Sequence, residues 1–544
     1  MHRFIYFLKK AKYNIFISKK INLKKITSSK TLIYKKTTLD NFLIITIPSL
    51  INQYDSFERS SKFVFGKKIE KDFTKFSEDI FNSFEFKGKK YKPAYFNIAD
   101  VKVPYETSRL QGLQIENYFG KEFISYSNLN FPEIYWNSTM EVSIRLVNLI
   151  FHRVLLENKK NKVILFNNDK TMLDYEIAKH FDFVLKNLEN DGNVVGNHYL
   201  VELASILLTI SKYEIDIDDV IYKEIINEAI KSLNSQFYID GTNFEGSSHY
   251  AAFATEIIII FKLAFEALDV DTKIMNRIDK ILLNNKIFIS ALLVENELSQ
   301  IGDNDSGRIF YLFHNEMRPL KLDWLILLVD SFFSKKSLLK NNSFNKEIST
   351  KKTNLNKLIK IENLPIEIFH DNYEIYNFDN FGVFIWRNEK EFFSIRCGLI
   401  GQSEIGGHAH HDQLSIEAFA NGNWIARDPG TGTYTDNIEI RNSFRSLDYH
   451  WGPKLNINFP QESEFDCFRL KGTRSGEVLA FNKSYFLGSA EFLDYKIYRE
   501  ILIDNGIIRI NDYSTDKIID PYLKWGLDSK GIKVQFSNGY KRLN

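Results

Sequence analysis

The sequence predicts a multidomain α+β protein in which a helical region is followed by an antiparallel β region. Two observations carry this reading. From about Tyr105 to Phe333 apolar residues recur at three and four positions, whereas after Pro365 they recur at every second position. Because the helices precede the strands instead of alternating with them, separate helical and β layers are expected, not a doubly wound sheet. With 544 residues the chain exceeds one ordinary domain, so two or three cooperating units are expected.

Residues 1–39 hold Arg3 and ten lysines without a single acid, a charge of +11. The whole chain is only +2, so the remainder carries −9. Such a basic head reads as a solvated, partly helical extension, or as a surface for anionic lipid or polymer. Its Phe4–Leu8 run, closed by Lys9 and Lys10, is too short for an ordinary secretory segment. The helical texture follows, with examples at Met140, Ile144, Val147 and Ile150, and at Leu200, Leu203, Ala204 and Leu207. Between Ser334 and Leu364 lysine, asparagine and serine dominate, as in an exposed linker. Alternating strands are then expected within 382–387, 391–398, 413–420 and 491–513, with Asn-Gly turns at 421–422 and 505–506. The expected domains are a basic extension (1–39), a helical domain (40–334), a linker (335–365) and a β domain (366–544).

Hydrophobic residues at 44% and charged residues at 26% exclude fibrous, disulfide-stapled and wholly disordered classes. The 27 Tyr and 46 Phe suit both a thick core and stacking on sugar rings. An acidic body without a basic patch argues against a nucleic-acid partner. The apolar runs Phe42–Ile51, Ile257–Phe265 and Trp324–Val329 fall short of the ~20 residues of a membrane span, so no transmembrane segment is expected. Cys397 and Cys467 allow at most one bridge and leave the redox compartment open.

Polar residues gather against this pattern in a few places. The densest is GGHAHHDQLSIEAFANGNWIARDPGTGTY at 406–434. On a strand, His408 and His410 would share one face while His411 turns away. A hairpin through Asn421–Gly422 would return Asp428 beside His410, and His450 is an available third donor, a set ordinary for zinc. A plain turn cap at Asp428 is the alternative. At 196–208 Asn197 and His198 precede an apolar helix; Asn197 suits an N-cap, and Glu202 lies one turn past His198, able to orient it. At 240–260 Glu245, Ser247, Ser248, His249 and Tyr250 open another apolar helix, and capping explains the serines better than His249-Tyr250. The loop IGDNDSGRIF at 301–310 is loosely calcium-like but lacks the distal Glu, so it reads as structural. Glu141 and Arg145 form an i,i+4 pair that is either a salt bridge or a charged cleft wall.

Taken in order, the segments DVKVPYETSRL (100–110), WNSTMEVSIRLVNL (136–149), NHYLVELASILL (197–208), DGTNFEGSSHY (240–250), IGDNDSGR (301–308) and GHAHHDQLSIEAFANGNWIARDPGTGTYT (407–435) resemble the heparinase II/III family of polysaccharide lyases and its alginate-lyase-like relatives. The resemblance covers about residues 95–450 and is most specific at 407–435. It implies an incomplete (α/α) toroid followed by an antiparallel β-sandwich, and β-elimination across a uronic-acid glycosidic bond. Asn197 matches the residue that neutralises the uronate carboxylate, His198 its neighbour in alginate-type members, Tyr250 the acid/base tyrosine, and His408 the catalytic histidine of the sandwich. Glu141, Arg145, Glu202, Glu245 and Tyr434 are the expected substrate contacts. His410 and Asp428 match ligands of a structural metal, commonly zinc, with His450 as the third. The family's His-Asn-Thr run reads His450-Trp451-Gly452 here. Family resemblance implies export to the periplasm or outside the cell, while the missing clear signal segment leaves the cytoplasm open.

The chemistry also follows from first principles. A hydrogen alpha to a carboxylate is barely acidic, since its removal adds a second negative charge. Asn197 and a protonated or metal-oriented His would neutralise that carboxylate and stabilise the enolate-like intermediate. A tyrosine with a pKa of about 10 is a poor base, so cations such as His408 or Arg145 are expected to favour the Tyr250 phenolate. Either Tyr250 or His408 then protonates the leaving oxygen. The expected ligand is an anionic uronate polysaccharide, weakly sulfated or unsulfated because the body is acidic. Two other readings stand beside this one. A toroid glycoside hydrolase would need two carboxylates across the cleft, drawn from Glu141, Glu202 or Glu245. A non-catalytic polysaccharide-binding or assembly protein would tolerate Tyr250→Phe.

Overall fold

The computed structural model describes residues 133–158, 168–190, 195–310, 320–333 and 344–519 apart from 350–352, 370–371, 436 and 463–466, with short stretches at 35, 37–43, 63–64, 67–68, 84–87, 90–93, 102–111 and 535–537. The Phe4–Leu8 run and nearly all of the expected basic extension lie outside the described residues.

The helical region contains α1 (Thr139–Asn158), α2 (Asn168–Lys186), α3 (Asn197–Lys212), α4 (Asp219–Gln236), α5 (Ser248–Ala267), α6 (Thr272–Leu292) and α7 (Asp323–Asp330). Asp218 and Asp271 begin α4 and α6 by accepting from the amides of Val220 and Lys273, ordinary N-caps. Helix α5 is buried from Ser248 through Phe265 because it packs against both α3 and α6. Its run Ile257–Phe261 is therefore apolar all round, not on one stripe. Among the described residues no helix is long and apolar enough to cross a membrane.

The β region holds two antiparallel sheets. One contains β3 (Glu374–Phe378), β4 (Val383–Arg387), β5 (Phe392–Arg396), β6 (Ile416–Ala420) and β7 (Asn423–Ala426) in sequential order. The other runs β8 (Glu477–Phe481), β9 (Tyr485–Phe492), β10 (Tyr495–Asp504), β11 (Ile507–Ser514) and then β1 (Ile359–Glu362), with β2 (Ile366–Glu367) also on β11. Both expected Asn-Gly turns form: Asn421 and Gly422 take φ of 52° and 72°, and Asn505 and Gly506 take 51° and 78°. Paired positive φ values match the twist of a two-residue hairpin.

Strand alternation decides what each face meets. Phe384 and Trp386 of β4 face the second sheet, where Phe384 lies 5.0 Å from Phe481 and 5.5 Å from Phe486. Val383 and Ile385 of the same strand join the helical core instead. Helices cover the outer face of this sheet, so β4 to β6 are buried almost throughout. By contrast β10 keeps the alternation of a half-solvated strand.

The segment expected as linker is partly built into this sheet. Ile359–Glu362 pairs with β11, Ile359 opposite Ser514, and Ile348 bridges Phe481. Only one face of this edge strand is even half-buried, which is why its lysine-rich sequence reads as exposed connection.

Helical and β halves are fastened closely. Arg387 donates to the carbonyls of Ser290, Ala291 and Leu293 at 2.9, 2.9 and 3.0 Å, closing the C-terminal end of α6. Gly302 takes φ of 67°, and a Cβ there would sit 2.4 Å from the His408 carbonyl oxygen. The Asp303 amide donates to that same carbonyl at 2.8 Å. Glycine is needed at 302 so that two loops from different halves can touch backbone to backbone.

Candidate active site

Asn197, Glu245, Tyr250, His408 and Tyr434 come together where the halves meet. Ser247 caps α5 by accepting from the Tyr250 amide, and this fixes Tyr250 in the first turn. The rings of Tyr250 and His408 stack with centroids 3.8 Å apart and planes 19° from parallel. The Tyr250 hydroxyl lies 3.2 Å from Asp305 Oδ2 and 3.3 Å from the Tyr434 hydroxyl. A carboxylate only accepts, so Tyr250 donates to Asp305 and Tyr434 donates to Tyr250.

The expected phenolate is not what these surroundings favour. Burial, followed by the charge of Asp305, pushes the Tyr250 hydroxyl well above its usual range. Arg145, proposed as an activating cation, is fully buried and donates to His180 Nε2 at 2.7 Å and to the carbonyls of Ser108 and Tyr135 at 3.0 and 3.1 Å. Tyr250 is a protonated phenol in this site.

His408, His410 and His411 precede β6 instead of lying on a strand, yet their facing alternates as expected. His408 Nδ1 is 3.2 Å from Asp303 Oδ2 and His410 Nε2 is 3.1 Å from Asp303 Oδ1, whereas His411 Nδ1 turns to Thr473 at 2.7 Å. Arg441 completes the Asp303 cluster with contacts of 2.9 and 3.2 Å. Burial alone would raise Asp303, but Arg441 and the two imidazoles hold it well below the carboxylate range. Asp303 lies in the loop that reads as structural in sequence. Its proximity to two histidines over 100 residues away has no local signal.

Asn197 is the first residue of α3, and its cap is Gly196, which offers no side chain. The capping explanation for Asn197 therefore fails. Its backbone amide donates to Glu245 Oε1 at 3.1 Å, and its carboxamide has no hydrogen-bond partner among the described residues. Glu245 Oε2 accepts from Gln402 and lies 3.6 Å from His408 Nε2. Gln402 was not legible as a site residue. It sits in a turn where Gln402, Ser403 and Glu404 all have positive φ, at 49°, 54° and 68°. Such a run is costly for residues with a Cβ and is held by the Gln402 contacts.

Three expected roles are corrected. His198 is oriented by Glu189, whose Oε2 lies 2.5 Å from its Nδ1, not by Glu202. Burial disfavours the charged imidazole, but Glu189 outweighs this and raises the His198 pKa, although half of the side chain remains open to solvent. Glu202 is fully buried and instead accepts from the Glu189 amide at 2.8 Å, supporting that loop. Glu141 is held by Arg109 at 2.5 and 2.9 Å, and both Glu141 and Arg145 are 0% exposed. Neither presents surface to a polymer, because the helix face they share turns into the ionic interior.

The expected metal ligands converge. Donor atoms of His410, Asp428 and His450 all lie within 4.8 Å of one another, and all three residues are buried. The β6–β7 hairpin returns Asp428 to the histidines. His450 Nδ1 must donate to the Ser446 carbonyl at 2.7 Å, and His410 Nε2 faces Asp303, so His450 Nε2 and His410 Nδ1 both point inward, 3.3 Å apart. Two imidazole lone pairs and a carboxylate facing one another need a positive charge between them. The donor set fits a zinc-like ion whose histidines are held by outer hydrogen bonds.

Residues 371–450 match the family model described as Heparinase II/III-like, C-terminal, which spans His408, His410, Asp428 and His450. The solved structure of Heparinase III is 14% identical, covers 92% of this chain and 79% of its own, and has a TM-score of 0.50. The heparan sulfate lyase HepC from Pedobacter heparinus is 13% identical, with 87% and 74% covered and a TM-score of 0.44. No curated protein matched the sequence. The fold is therefore a heparinase-like α+β fold. The family-model match concerns residues 371–450, which resemble the C-terminal domain of heparinase II/III-like proteins.

Proposed function

We propose that this chain is a polysaccharide lyase that cleaves a uronic-acid-containing polysaccharide by β-elimination, on an incomplete (α/α) toroid joined to an antiparallel β-sandwich. The stack of Tyr250 on His408 is the observation that carries this reading, because it joins a proton donor and a proton acceptor from the two halves at one place. The carboxamide of Asn197, a residue whose backbone amide is tied to Glu245, and the His198 imidazolium favoured by Glu189 would bind the uronate carboxylate and hold the charge that develops on it. Asp303 accepts the Nδ1 proton of His408, which leaves Nε2 to take the C5 proton. As the C4–O bond breaks, its electron pair stays on the leaving oxygen, which takes the Tyr250 proton. A C4–C5 double bond forms, and the imidazolium returns a proton to the phenolate.

Zinc held by His410, Asp428 and His450 would supply structural charge that fixes the His408 loop. The hydrolase reading loses ground because Glu141 and Glu202 are fully buried and engaged, so the required pair of open carboxylates is not presented. The test is incubation of purified protein with alginate, hyaluronan and heparan sulfate, followed by ultraviolet absorbance. An unsaturated uronate from at least one polymer, lost in Tyr250→Phe, is the expected result. Saturated reducing ends alone would establish hydrolysis instead.

A further inference from the structure

Phe468 is 42% exposed although it belongs to the wall of the site. Its ring meets His408 edge to face with centroids 6.1 Å apart, and meets Tyr434 in the same manner at 5.5 Å. Arg441, itself fully buried, places its guanidinium 4.9 Å from the Phe468 centroid. The inner side of the ring is thus covered by a buried cation, and the exposed remainder is on the side of solvent.

The turn that carries Phe468 is fixed at both ends. The Cys467 carbonyl accepts from Arg441 Nε at 2.9 Å and from Arg445 Nη1 at 2.8 Å, while the Leu470 amide donates to the Ile405 carbonyl at 3.0 Å. A Cβ at Gly407 would come within 3.0 Å of the Phe468 carbonyl oxygen, so the His408 loop and this turn approach as closely as their backbones allow. A lone exposed Phe needs no explanation on most surfaces. Here two buried guanidinium groups hold one in contact with two members of the candidate catalytic group.

We propose that Phe468 is a stacking platform for a pyranose ring of the polysaccharide, adjoining the sugar that undergoes elimination; this deepens the lyase reading and rests on it. The apolar C–H face of a pyranose is slightly positive and matches the negative face of an aromatic ring. The turn that carries the platform is held by hydrogen bonds at both ends, so binding loses little conformational entropy at this position. Selectivity at this subsite is for ring shape, because a phenyl ring offers no group to read sulfate or carboxylate.

The test places Phe468→Ala, Phe468→Leu and Phe468→Trp in a Tyr250→Phe background and measures retardation in native gels containing alginate, hyaluronan or heparan sulfate. Phe468→Ala and Phe468→Leu are expected to weaken binding at least fivefold, and Phe468→Trp to bind as tightly as the parent or more so, with unfolding temperatures unchanged. Leu keeps apolar volume without a ring, so full binding by Phe468→Leu would reduce the residue to packing and overturn the proposal. Unchanged binding by Phe468→Ala would overturn it also. If the otherwise wild-type protein yields unsaturated product while these variants bind alike, only the platform fails. If it neither binds any of the three polymers nor produces unsaturated uronate, the lyase reading falls and takes the platform with it.

Discussion

Tyr250 and His408 stack with ring centroids 3.8 Å apart, one carried by the first turn of a buried helix and the other by a loop that precedes a strand. Their surroundings divide the work between them. Burial, followed by Asp305, favours the protonated phenol, and Asp303 orients the imidazole. Tyr250→Phe should therefore lower the rate on polymer by about 10²–10⁴, the usual range for loss of a general acid. On a uronate whose 4-O substituent is a phenol, a leaving group that needs no proton, the same variant should retain most of its rate, while His408→Gln loses both. Ultraviolet progress curves on the two substrates check this. Equal losses for Tyr250→Phe on both would reassign Tyr250 as the base.

The inward-facing donors of His410, Asp428 and His450 predict one zinc-like ion per chain. Elemental analysis of purified protein should find about one equivalent, and His450→Ala should lose it. Chelation should lower the unfolding temperature, since an ion bound only by the folded state stabilises that state. A metal-free protein with unchanged unfolding temperature and activity would sink this prediction.

Asp303 is fully buried and holds Arg441 at 2.9 Å. Asp303→Asn leaves that guanidinium buried without its counter-charge, which should cost about 3–5 kcal/mol of stability, measured by denaturant unfolding. Combining it with Arg441→Met should recover much of the stability. Activity should stay low in the double variant, because His408 and His410 still lack the carboxylate that orients them.

His249 is buried between Asp305, 2.8 Å from its Nε2, and Arg308, 2.9 Å from its Nδ1. One nitrogen donates and the other accepts, so the ring is neutral. Burial, then Arg308, lowers its pKa to about 4. The unfolded chain takes up a proton near pH 6.5 and the folded one only near 4, so this residue destabilises the fold progressively as pH falls through that window. Its share is about 3 kcal/mol once pH has fallen below the folded value. His249→Gln should show a shallower loss of unfolding free energy between pH 6.5 and 4 than the wild type; parallel curves would show that other groups govern the acid limb.

Much of this was legible along the chain. The change from helical to alternating periodicity marks the α-to-β transition, and both Asn-Gly turns close hairpins where expected. His410, Asp428 and His450 were readable as a donor set because a hairpin brings nearby sequence together. Other relationships were not legible. Glu141 and Arg145 look paired at i,i+4, yet Arg109, 32 residues earlier, holds Glu141. Glu202 looks like the partner of His198, yet Glu189 arrives from the preceding loop.

Local pattern determined which elements form, since helix and strand periodicity, caps and two-residue turns depend on neighbours within a few positions. Tertiary structure decided the protonation of Tyr250, the joining of Asp303 to both histidines and the covering of one side of Phe468. Each depends on electrostatic and packing contacts between residues far apart in sequence, whose distances exist only once the two halves have docked.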